Sequence, residues 1–300
     1  MDIKERYIDP FTDFGFKKLF GEEPNKDLLI DFLNELLKQQ GGKQISNLTY
    51  GNSERLGNTQ AERKAIFDLY CESERGEKFI VELQKVRQQF FKDRSLFYST
   101  FAIQEQALKG QDWDFRLKDV YTIGIMDFAF DDTRPEQFQH TVKLVEITTQ
   151  EIFYDKLTFV YLEMAKFNKA ESELTTHFDK WLFLLKNLHK FREIPAILQE
   201  RIFRKVFQIA EVSNLNKEEM NAYEADLKYR RDWKNAMDFA VKEAVEKAVE
   251  KAVEKAVEET KTETSRRKQL EIARNFKKAG VATDIIAQST GLTIDEINAL

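Results

Sequence analysis

The sequence predicts an α/β (α+β) fold, a mixed sheet with flanking helices, followed by an all-helical C-terminal half. Short apolar segments of strand-like composition alternate with helical patterns up to about residue 165. From about residue 170 onward, apolar residues recur only with helical spacing. Residues 242–257 repeat a four-residue unit as KEAVEKAVEKAVEKAV, and the 300 residues include few helix breakers, 11 Gly and 4 Pro.

The composition limits the kinds of protein and of metal site that are compatible with this chain. With 42% hydrophobic and 33% charged residues, it has enough apolar material for a packed core, which argues against wholesale disorder. Cys71 is the single cysteine, so an internal disulfide framework and a multi-cysteine zinc site are excluded. The three histidines, at 140, 177 and 189, lie far apart. A metal ion would therefore have to be held by carboxylates.

Charge and hydropathy bear on partners and location. The net charge of −5 provides no general attraction to nucleic acid, so DNA binding would require a local basic face. The N-terminal segment MDIKERYIDP is charged from its start and is unlike a signal peptide. Apolar stretches such as WLFLLKNL are shorter than the ~20 residues of a membrane-spanning helix. We therefore expect a cytoplasmic protein without membrane association.

Two helices are predicted before the first strand. Thr12 or Asp13 can cap a short helix within TDFGFKKLFGEE, and Pro24–Asn25 begins a longer one. Gly41–Gly42 ends this second helix. Its apolar residues recur at i, i+3, i+4, i+7 and i+8, namely Leu29, Phe32, Leu33, Leu36 and Leu37.

Three strands are predicted next, at 45–50, 64–71 and 78–86. The last two flank the polar loop ESERGE, as expected of a hairpin. A helical pattern over 90–108, closed by Gly110, then leads to further strands. The order over 25–130 is therefore α-β-β-β-α-β, followed by an extra pair of strands. These later strands are predicted at 119–130, whose nearly continuous apolar run is typical of a central strand, and at 141–147 and 156–164.

The helical half divides into segments of different character. In the four-residue repeat, each unit advances the helix by about 400°, so the Ala-Val stripe drifts by about 40° per unit. We expect such a helix to be a solvated spacer. The formation of a homo-oligomer through the C-terminal helices is also compatible with this pattern. The final segment resembles a helix-turn-helix, but its acidic second helix argues against base reading. The predicted organisation is a first domain at 1–165, a helical region at 170–240, a repeat spacer at 241–268 and a small helical tail at 269–300.

The predicted hairpin places two acidic side chains opposite each other. Opposed residues have Cβ atoms ~4.5–5.5 Å apart, so Asp68 and Glu82 would repel each other within strongly apolar segments. A compensating cation is needed, and a hard divalent ion such as Mg²⁺ suits paired carboxylates. Folding the strands symmetrically about Arg75 gives the pairs Asp68 with Glu82, Ile66 with Gln84, and Tyr70 with Ile80.

Two alternatives to a metal site stay open at this point. A one-residue slip of the register would turn Glu82 onto the other face of the sheet and leave one acid in solvent. Asp68 could instead form a buried ion pair with Lys64, which shares its face at the period of two residues.

An Asp in one strand, followed after a short loop by Glu-x-Gln in the next, resembles the PD-(D/E)XK nuclease superfamily. Three segments in order, TDFGFKKLFGEE, KAIFDLYCESERGEKFIVELQKV and FFKDRSLFYSTFAIQEQALKG, are similar to the Rpn-type recombination-promoting nuclease/transposase family. The helical half and the terminal IAQSTGLTIDEINAL extend this similarity over nearly the whole chain. The resemblance implies a restriction-endonuclease-like core and a DNA endonuclease, dependent on Mg²⁺ (or Mn²⁺) and associated with recombination and mobile elements.

The resemblance also implies roles for individual residues. Asp68 and Glu82 correspond to the metal ligands of the catalytic site. Gln84 stands in the catalytic slot that Lys usually holds, and Phe67 stands where the superfamily has Pro. A neutral amide can orient groups by hydrogen bonds, but it cannot stabilise negative charge as a lysine does. Weak activity is therefore compatible with this sequence.

Further residues are candidates for supporting roles. Asp13 corresponds to the acid that the first helix often contributes, or it serves only as a helix cap. Lys85 lies beside Gln84 but points to the opposite face of the strand. Candidate phosphate contacts on the flanking helices are Lys17, Lys18, Lys92 and Arg94, although such charges are more often simply solvated. The alternative function is a catalytically weak or silent interaction and assembly module on the same fold.

Overall fold

The computed structural model describes residues 5–38, 44–52, 54–55, 65–107, 114–130 and 134–300. Lys64 and the predicted helix stops at Gly41–Gly42 and Gly110 lie outside these residues. The chain forms two compact units, Met1–Lys228 and Tyr229–Leu300. The first unit contains the sheet and the helices that cover it. The second contains most of a long helix and a small helical tail.

The described residues form eight strands, and six of them build one mixed sheet in the order β1-β4-β5-β6-β8-β7. Neighbours are parallel for β5–β6 and β6–β8, and antiparallel elsewhere. This architecture confirms the predicted fold class. The strands are β1 (Leu48–Tyr50), β2 (Glu54–Arg55), β3 (Ala65–Ile66), β4 (Leu69–Ser73), β5 (Lys78–Gln84), β6 (Val120–Met126), β7 (Gln139–Val145) and β8 (Ile152–Glu163).

Eight α-helices accompany these strands in the described part of the chain. All but the last three pack within the first unit, and α6 passes from the first unit into the second. The helices are α1 (Asp13–Phe20), α2 (Lys26–Lys38), α3 (Phe91–Gln104), α4 (His177–Asn187), α5 (Arg201–Ala210), α6 (Lys217–Lys278), α7 (Thr283–Thr290) and α8 (Ile294–Asn298).

The hairpin between β4 and β5 has the predicted register, since Leu69 pairs with Val81 and Tyr70 with Ile80. The predicted single strand at 64–71 is nevertheless split. Its first part, β3, pairs with β2 and not with β5, so the predicted partnership of Ile66 with Gln84 is wrong. The physical reason lies between the two parts of the strand. There the carboxylate of Asp68 accepts the main-chain N–H of Leu83 in β5, and this side-chain hydrogen bond stands in place of a backbone one.

Each face of the sheet is covered by different helices. Ile80 packs in the apolar cluster beneath α3. Its neighbours Phe79 and Val81 pack on the opposite face, in the large core that α1, α2, α4 and α5 share. Because side chains alternate along a strand, Glu82 and Gln84 lie on the α3 side with Ile80.

Helix α1 begins at a cap that brings its first turn close to Asp68. The hydroxyl of Thr12 accepts the N–H of Gly15 at 2.9 Å, so Thr12 is the N-cap and Asp13 is the first helical residue. Asp226 of α6 accepts a second free donor, the N–H of Phe14, at 2.6 Å. The start of α6 therefore fixes the N-terminal turn of α1 within the first unit.

The second unit consists of the rest of α6 with α7 and α8. The predicted repeat is helical and its valines are about half exposed, for example Val249 at 56%. Gly291 ends α7 in the left-handed conformation at φ 72°, which glycine adopts without strain. The tail has a small core that includes Ala273, Ile286 and Ile297. No helix among the described residues is long and apolar enough to cross a membrane.

Candidate active site

Asp68 and Glu82 meet where the ladder between β4 and β5 ends. The main-chain N–H of Asp68 donates to Oε1 of Glu82 at 3.3 Å. Oδ2 of Asp68 accepts the N–H of Leu83 at 2.6 Å. Glu82 is only 8% exposed, and Asp68 is partly buried. The sequence predicts that these two acids lie opposite each other across the hairpin. In the structure, each carboxylate accepts a main-chain N–H from the segment that carries the other acid.

Both carboxyl groups resist ionisation at this position. Burial, and then the negative charge of Asp68, raise the pKa of Glu82 to about 8. Burial likewise raises the pKa of Asp68, although the hydrogen bond from Leu83 opposes the shift. Two carboxylates placed together in an apolar environment cannot both be charged without a nearby cation. The pair therefore either retains a proton or attracts positive charge.

Arg94, in the first turn of α3, is a cation that reaches this pair. Its Nη2 lies 3.5 Å from Oε2 of Glu82, and the same nitrogen donates to Oε1 of Gln84. Its Nη1 donates to Oε1 of Gln88 at 2.6 Å, and the guanidinium lies 5.3 Å from the centre of the Phe91 ring. Arg94, predicted as a phosphate contact, is thus placed beside the acidic pair in the described structure.

Gln84 lies on the same face as Glu82 and is 9% exposed. Its amide is engaged at both ends, because Oε1 accepts from Arg94 and Nε2 donates to the carbonyl of Val86 at 2.9 Å. The side chain therefore fixes the guanidinium of Arg94 close to the carboxylate of Glu82.

Asp68 also lines an open hollow of about 520 Å³ between α1, β4 and the start of α6. Asp13 and Lys17 line the same hollow and form an ion pair at 3.0 Å. Lys18 lines it too, but its ammonium group contacts Glu22 at 3.1 Å and Glu219 at 2.5 Å. Of the two lysines on α1, Lys17 is the more exposed, with 47% against 17% of its side chain accessible.

The remaining predicted residues lie at different places. Burial lowers the pKa of Lys85, and the carboxylates that oppose this shift include Asp226, Asp13 and Asp68. Lys85 is therefore close enough to the hollow for its charge to act on these acids. Lys92 lies elsewhere, with its Nζ 4.6 Å from the centre of the Phe130 ring. Lys64 lies outside the described residues, so its predicted ion pair stays a prediction.

The donor set at this site fits a hard divalent cation. Asp68 and Glu82 supply carboxylate oxygens, and Mg²⁺ commonly takes one or two carboxylates, with water and substrate phosphate completing its shell. In the part of the chain that the structure describes, no group of three or more His, Cys, Asp or Glu side chains is arranged to hold a metal. The mutual repulsion of the buried pair is what such a cation would relieve.

Sequence reasoning missed two features of this site. Asp226 lies 212 residues after Phe14, whose N–H it accepts, and nothing in the pattern of α6 distinguishes it from other solvated acids. The sequence indicates Arg94 as a cation of the helix that becomes α3, but its contact with Glu82 depends on how α3 docks on the sheet. A second acid opposite Glu82 in an apolar environment is the signal that could have directed attention to the cations of α3.

Comparison with known protein families identifies a match that covers most of the chain. Residues 10–240 match the model of the family described as PD-(D/E)XK nuclease family transposase. No curated protein and no solved structure matches the chain significantly. The matched range includes α1, the whole sheet and the start of α6, and therefore every residue of the site described above.

Proposed function

Because the chain belongs to the PD-(D/E)XK nuclease family transposases, we propose that it is a DNA endonuclease that hydrolyses phosphodiester bonds with Mg²⁺ or Mn²⁺. The single observation that carries this proposal is the buried Asp68–Glu82 pair, in which burial and the charge of Asp68 raise the pKa of Glu82. A sequence that keeps two repelling acids in an apolar environment has a use for the cation that they attract.

Asp68 and Glu82 would hold the ion. A bound divalent cation supplies Lewis-acid activation of the phosphate and of the attacking water. Water adds its oxygen to phosphorus and gives up a proton, the bond from phosphorus to the leaving oxygen breaks, and that oxygen takes up a proton. The cation held by the acidic pair would offset the negative charge that accumulates on the phosphate during the reaction.

Arg94 and Gln84 act on that charge from the α3 side. The guanidinium of Arg94 carries further donors in a planar fork, which suits the oxygens of a phosphate that approaches Glu82. Gln84 acts as a positioning residue, because its Oε1 accepts a hydrogen bond from Arg94. It orients the cation that replaces the usual lysine of the motif.

Lys17 and Asp13 contribute at the mouth of the hollow. Lys17 is half exposed and is the cation of α1 best placed to meet an incoming strand, since Lys18 contacts two glutamates. Asp13 lines the hollow with Asp68, so its carboxylate can accept hydrogen bonds from water at the site.

The test is the nicking of supercoiled plasmid by the full chain, with Mg²⁺ or with EDTA. Nicking should require Mg²⁺, and Glu82→Gln should lower its rate by about 10²-fold or more, the scale of one group that acts on the transition state. Glu136→Gln, the same change at an exposed glutamate, is the matched control and should nick normally. Nicking in EDTA, or a fully active Glu82→Gln, would rule out this site.

A second candidate function is an interaction and assembly module that keeps the nuclease fold without activity. The observation that favours it is the contact of Arg94 with both Glu82 and Gln84, since a resident guanidinium already compensates the buried acid. This candidate predicts that the wild-type chain neither nicks DNA nor is stabilised by Mg²⁺. The plasmid assay and a melting curve with Mg²⁺ therefore separate the two functions.

A further inference from the structure

A second cleft opens on the α3 face of the sheet, beside the candidate active site. Its volume is about 430 Å³, within the usual range of ligand pockets. It combines aromatic walls, a buried acid and several cations. The lining residues on which the argument depends are Lys92, Phe130, Arg134, His140, Tyr161 and Glu163.

The register of the parallel strands fixes how close this cleft lies to the acidic pair. Glu82 pairs with Gly124, and Gly124 pairs with Tyr161. Tyr161 is thus two strands from Glu82, or roughly 10 Å at the usual strand spacing. Phe91 fills the space above Gly124, where a Cβ would lie 3.0 Å from its Cζ. The first turn of α3 therefore separates the two sites and borders both.

Aromatic rings form the walls of the cleft. The rings of Phe130 and Tyr161 meet edge to face at 5.3 Å, and those of Phe159 and Tyr161 are nearly parallel at 6.4 Å. Phe130 is partly exposed. Aromatic faces of this kind bind planar bases by stacking, with little dependence on which base is present.

A buried carboxylate forms the floor. Glu163 is 1% exposed, and its two oxygens lie 2.7 Å from Nε2 of His140 and 2.7 Å from Nζ of Lys166. The imidazole of His140 and the ammonium group of Lys166 thus flank this acid, which is the last residue of β8. The carboxylate of Glu163 therefore offsets the charge of Lys166 at the floor of the cleft.

Two exposed cations stand at the rim. Lys92 has its Nζ 4.6 Å from the centre of the Phe130 ring, and Arg134 follows on the loop before β7. With Lys166, three full positive charges line the cleft against the single carboxylate of Glu163. A ligand that carries negative charge next to a planar ring is complementary to this arrangement.

We propose that this cleft binds a nucleotide, with its base against Phe130 and Tyr161 and its phosphate at Lys92 and Arg134. The nucleotide comes either from a nucleic-acid strand, as a neighbour of the one that is cut, or from a free mononucleotide. The strand source rests on the proposed nuclease function, because the cleft and the acidic pair share one face of the sheet. The binding of a nucleotide does not depend on cleavage.

The experiment measures binding by the full chain in EDTA, where hydrolysis does not contribute. Calorimetric titrations use deoxyadenosine monophosphate, deoxyadenosine and inorganic phosphate, and fluorescence anisotropy follows a labelled single-stranded oligonucleotide. The variants are the double change Lys92→Glu/Arg134→Glu, at exposed positions, and Phe130→Leu. Arg201→Glu, at an exposed residue of α5 that does not line the cleft, controls for charge reversal.

The double variant should lose about tenfold or more in mononucleotide affinity, since charge-assisted contacts to phosphate are removed. It should leave the weaker binding of deoxyadenosine nearly unchanged. Phe130→Leu should instead remove most of the advantage of the mononucleotide over inorganic phosphate. Arg201→Glu should bind like the wild type.

If the cleft variants lose affinity for the oligonucleotide as well as for the mononucleotide, a nucleic-acid strand is a source of the bound nucleotide. If they lose affinity for the mononucleotide alone, the ligand is the free nucleotide. If the wild type binds neither probe, or if the cleft variants bind as it does, the proposal is overturned. Normal, cleft-dependent binding by a chain that never nicks plasmid would contradict the proposed nuclease function alone.

Discussion

The main-chain N–H of Asp68 donates to the carboxylate of Glu82 at 3.3 Å. In return, the strand that carries Glu82 donates the N–H of Leu83 to the carboxylate of Asp68 at 2.6 Å. Each acid is therefore held by a hydrogen bond that involves the other strand, while burial raises the pKa of both carboxyl groups. A geometry that keeps two acids together against their repulsion is well suited to binding a cation.

This relationship predicts different stabilities for two variants of one residue. Asp68→Asn keeps a carbonyl oxygen for the N–H of Leu83 and removes the repulsion with Glu82, so it should be as stable as the wild type or more stable. Asp68→Ala leaves that buried N–H without its acceptor and should lose about 1–3 kcal/mol relative to Asp68→Asn. Denaturant unfolding at pH 7 without divalent ions measures the difference. Equal stabilities would contradict the hydrogen bond to Leu83.

Arg94 provides a second prediction, because it is the cation that contacts Glu82. Arg94→Ala leaves the buried acid with a like-charged neighbour and should lower the free energy of unfolding by about 1–3 kcal/mol. Mg²⁺ should restore much of this loss, since it compensates the same charge. Melting temperatures with and without Mg²⁺ test this. Arg116→Ala, at an exposed arginine, is the control and should respond to neither change.

The third prediction concerns the two neighbours at the end of β5. Gln84 positions Arg94, so Gln84→Leu should lower the nicking rate by about 10²-fold, the scale of one transition-state donor. Lys85 lies on the other face of the strand, and Lys85→Leu should have a smaller effect. Single-turnover nicking by both variants measures this. A silent Gln84→Leu beside an inactive Lys85→Leu would reverse the assigned roles.

The register of the hairpin between β4 and β5 is the part of the site that the sequence predicts best. A short polar loop between two apolar segments determines the register, so Tyr70 opposes Ile80 as predicted. Local patterns could not predict that Ala65–Ile66 leaves this ladder for β2. That break depends on the Asp68 side chain, which competes with the backbone for the N–H of Leu83. The alternation of apolar and polar residues along a strand does not predict a hydrogen bond between a side chain and the backbone.

Contacts between distant elements explain the other differences. Arg94 reaches Glu82 only because α3 docks with Phe91 over Gly124, a position where no side chain intervenes. Asp226 reaches α1 because the start of α6 packs within the first unit, more than 200 residues after α1 along the chain. The periodicity of each helix predicts which face is apolar, but not which polar groups meet across the interface.

His177 provides a prediction for the dependence of stability on pH. Its Nε2 lies 2.8 Å from Asp31 and its Nδ1 2.9 Å from Glu200. The hydrogen bond to Asp31, followed by the charges of these acids, raises the pKa of His177 above 6.5. The stabilisation is complete below pH 6.5 and is lost as the pH rises through the raised, folded-state pKa.

His177→Gln should therefore destabilise the protein more at pH 5.5 than at pH 8.5, as seen in melting temperatures across this range. His189 is the matched control, because burial lowers its pKa and its neutral form is favoured in the folded state. The pH dependence of the change at His189→Gln should accordingly have the opposite sign. The same sign in both variants would contradict the assigned environments.

The most direct test is whether the Asp68–Glu82 pair binds a divalent ion in the absence of DNA. Free Mn²⁺ can be counted by electron paramagnetic resonance as the full chain is titrated, and Mg²⁺ should displace the bound ion. The wild type should bind Mn²⁺ at this pair, and Asp68→Asn should weaken binding by at least about tenfold. Asp93→Asn, the same change at an exposed residue of α3, should bind normally. If Asp68→Asn binds Mn²⁺ as tightly as the wild type, the pair is not the metal site.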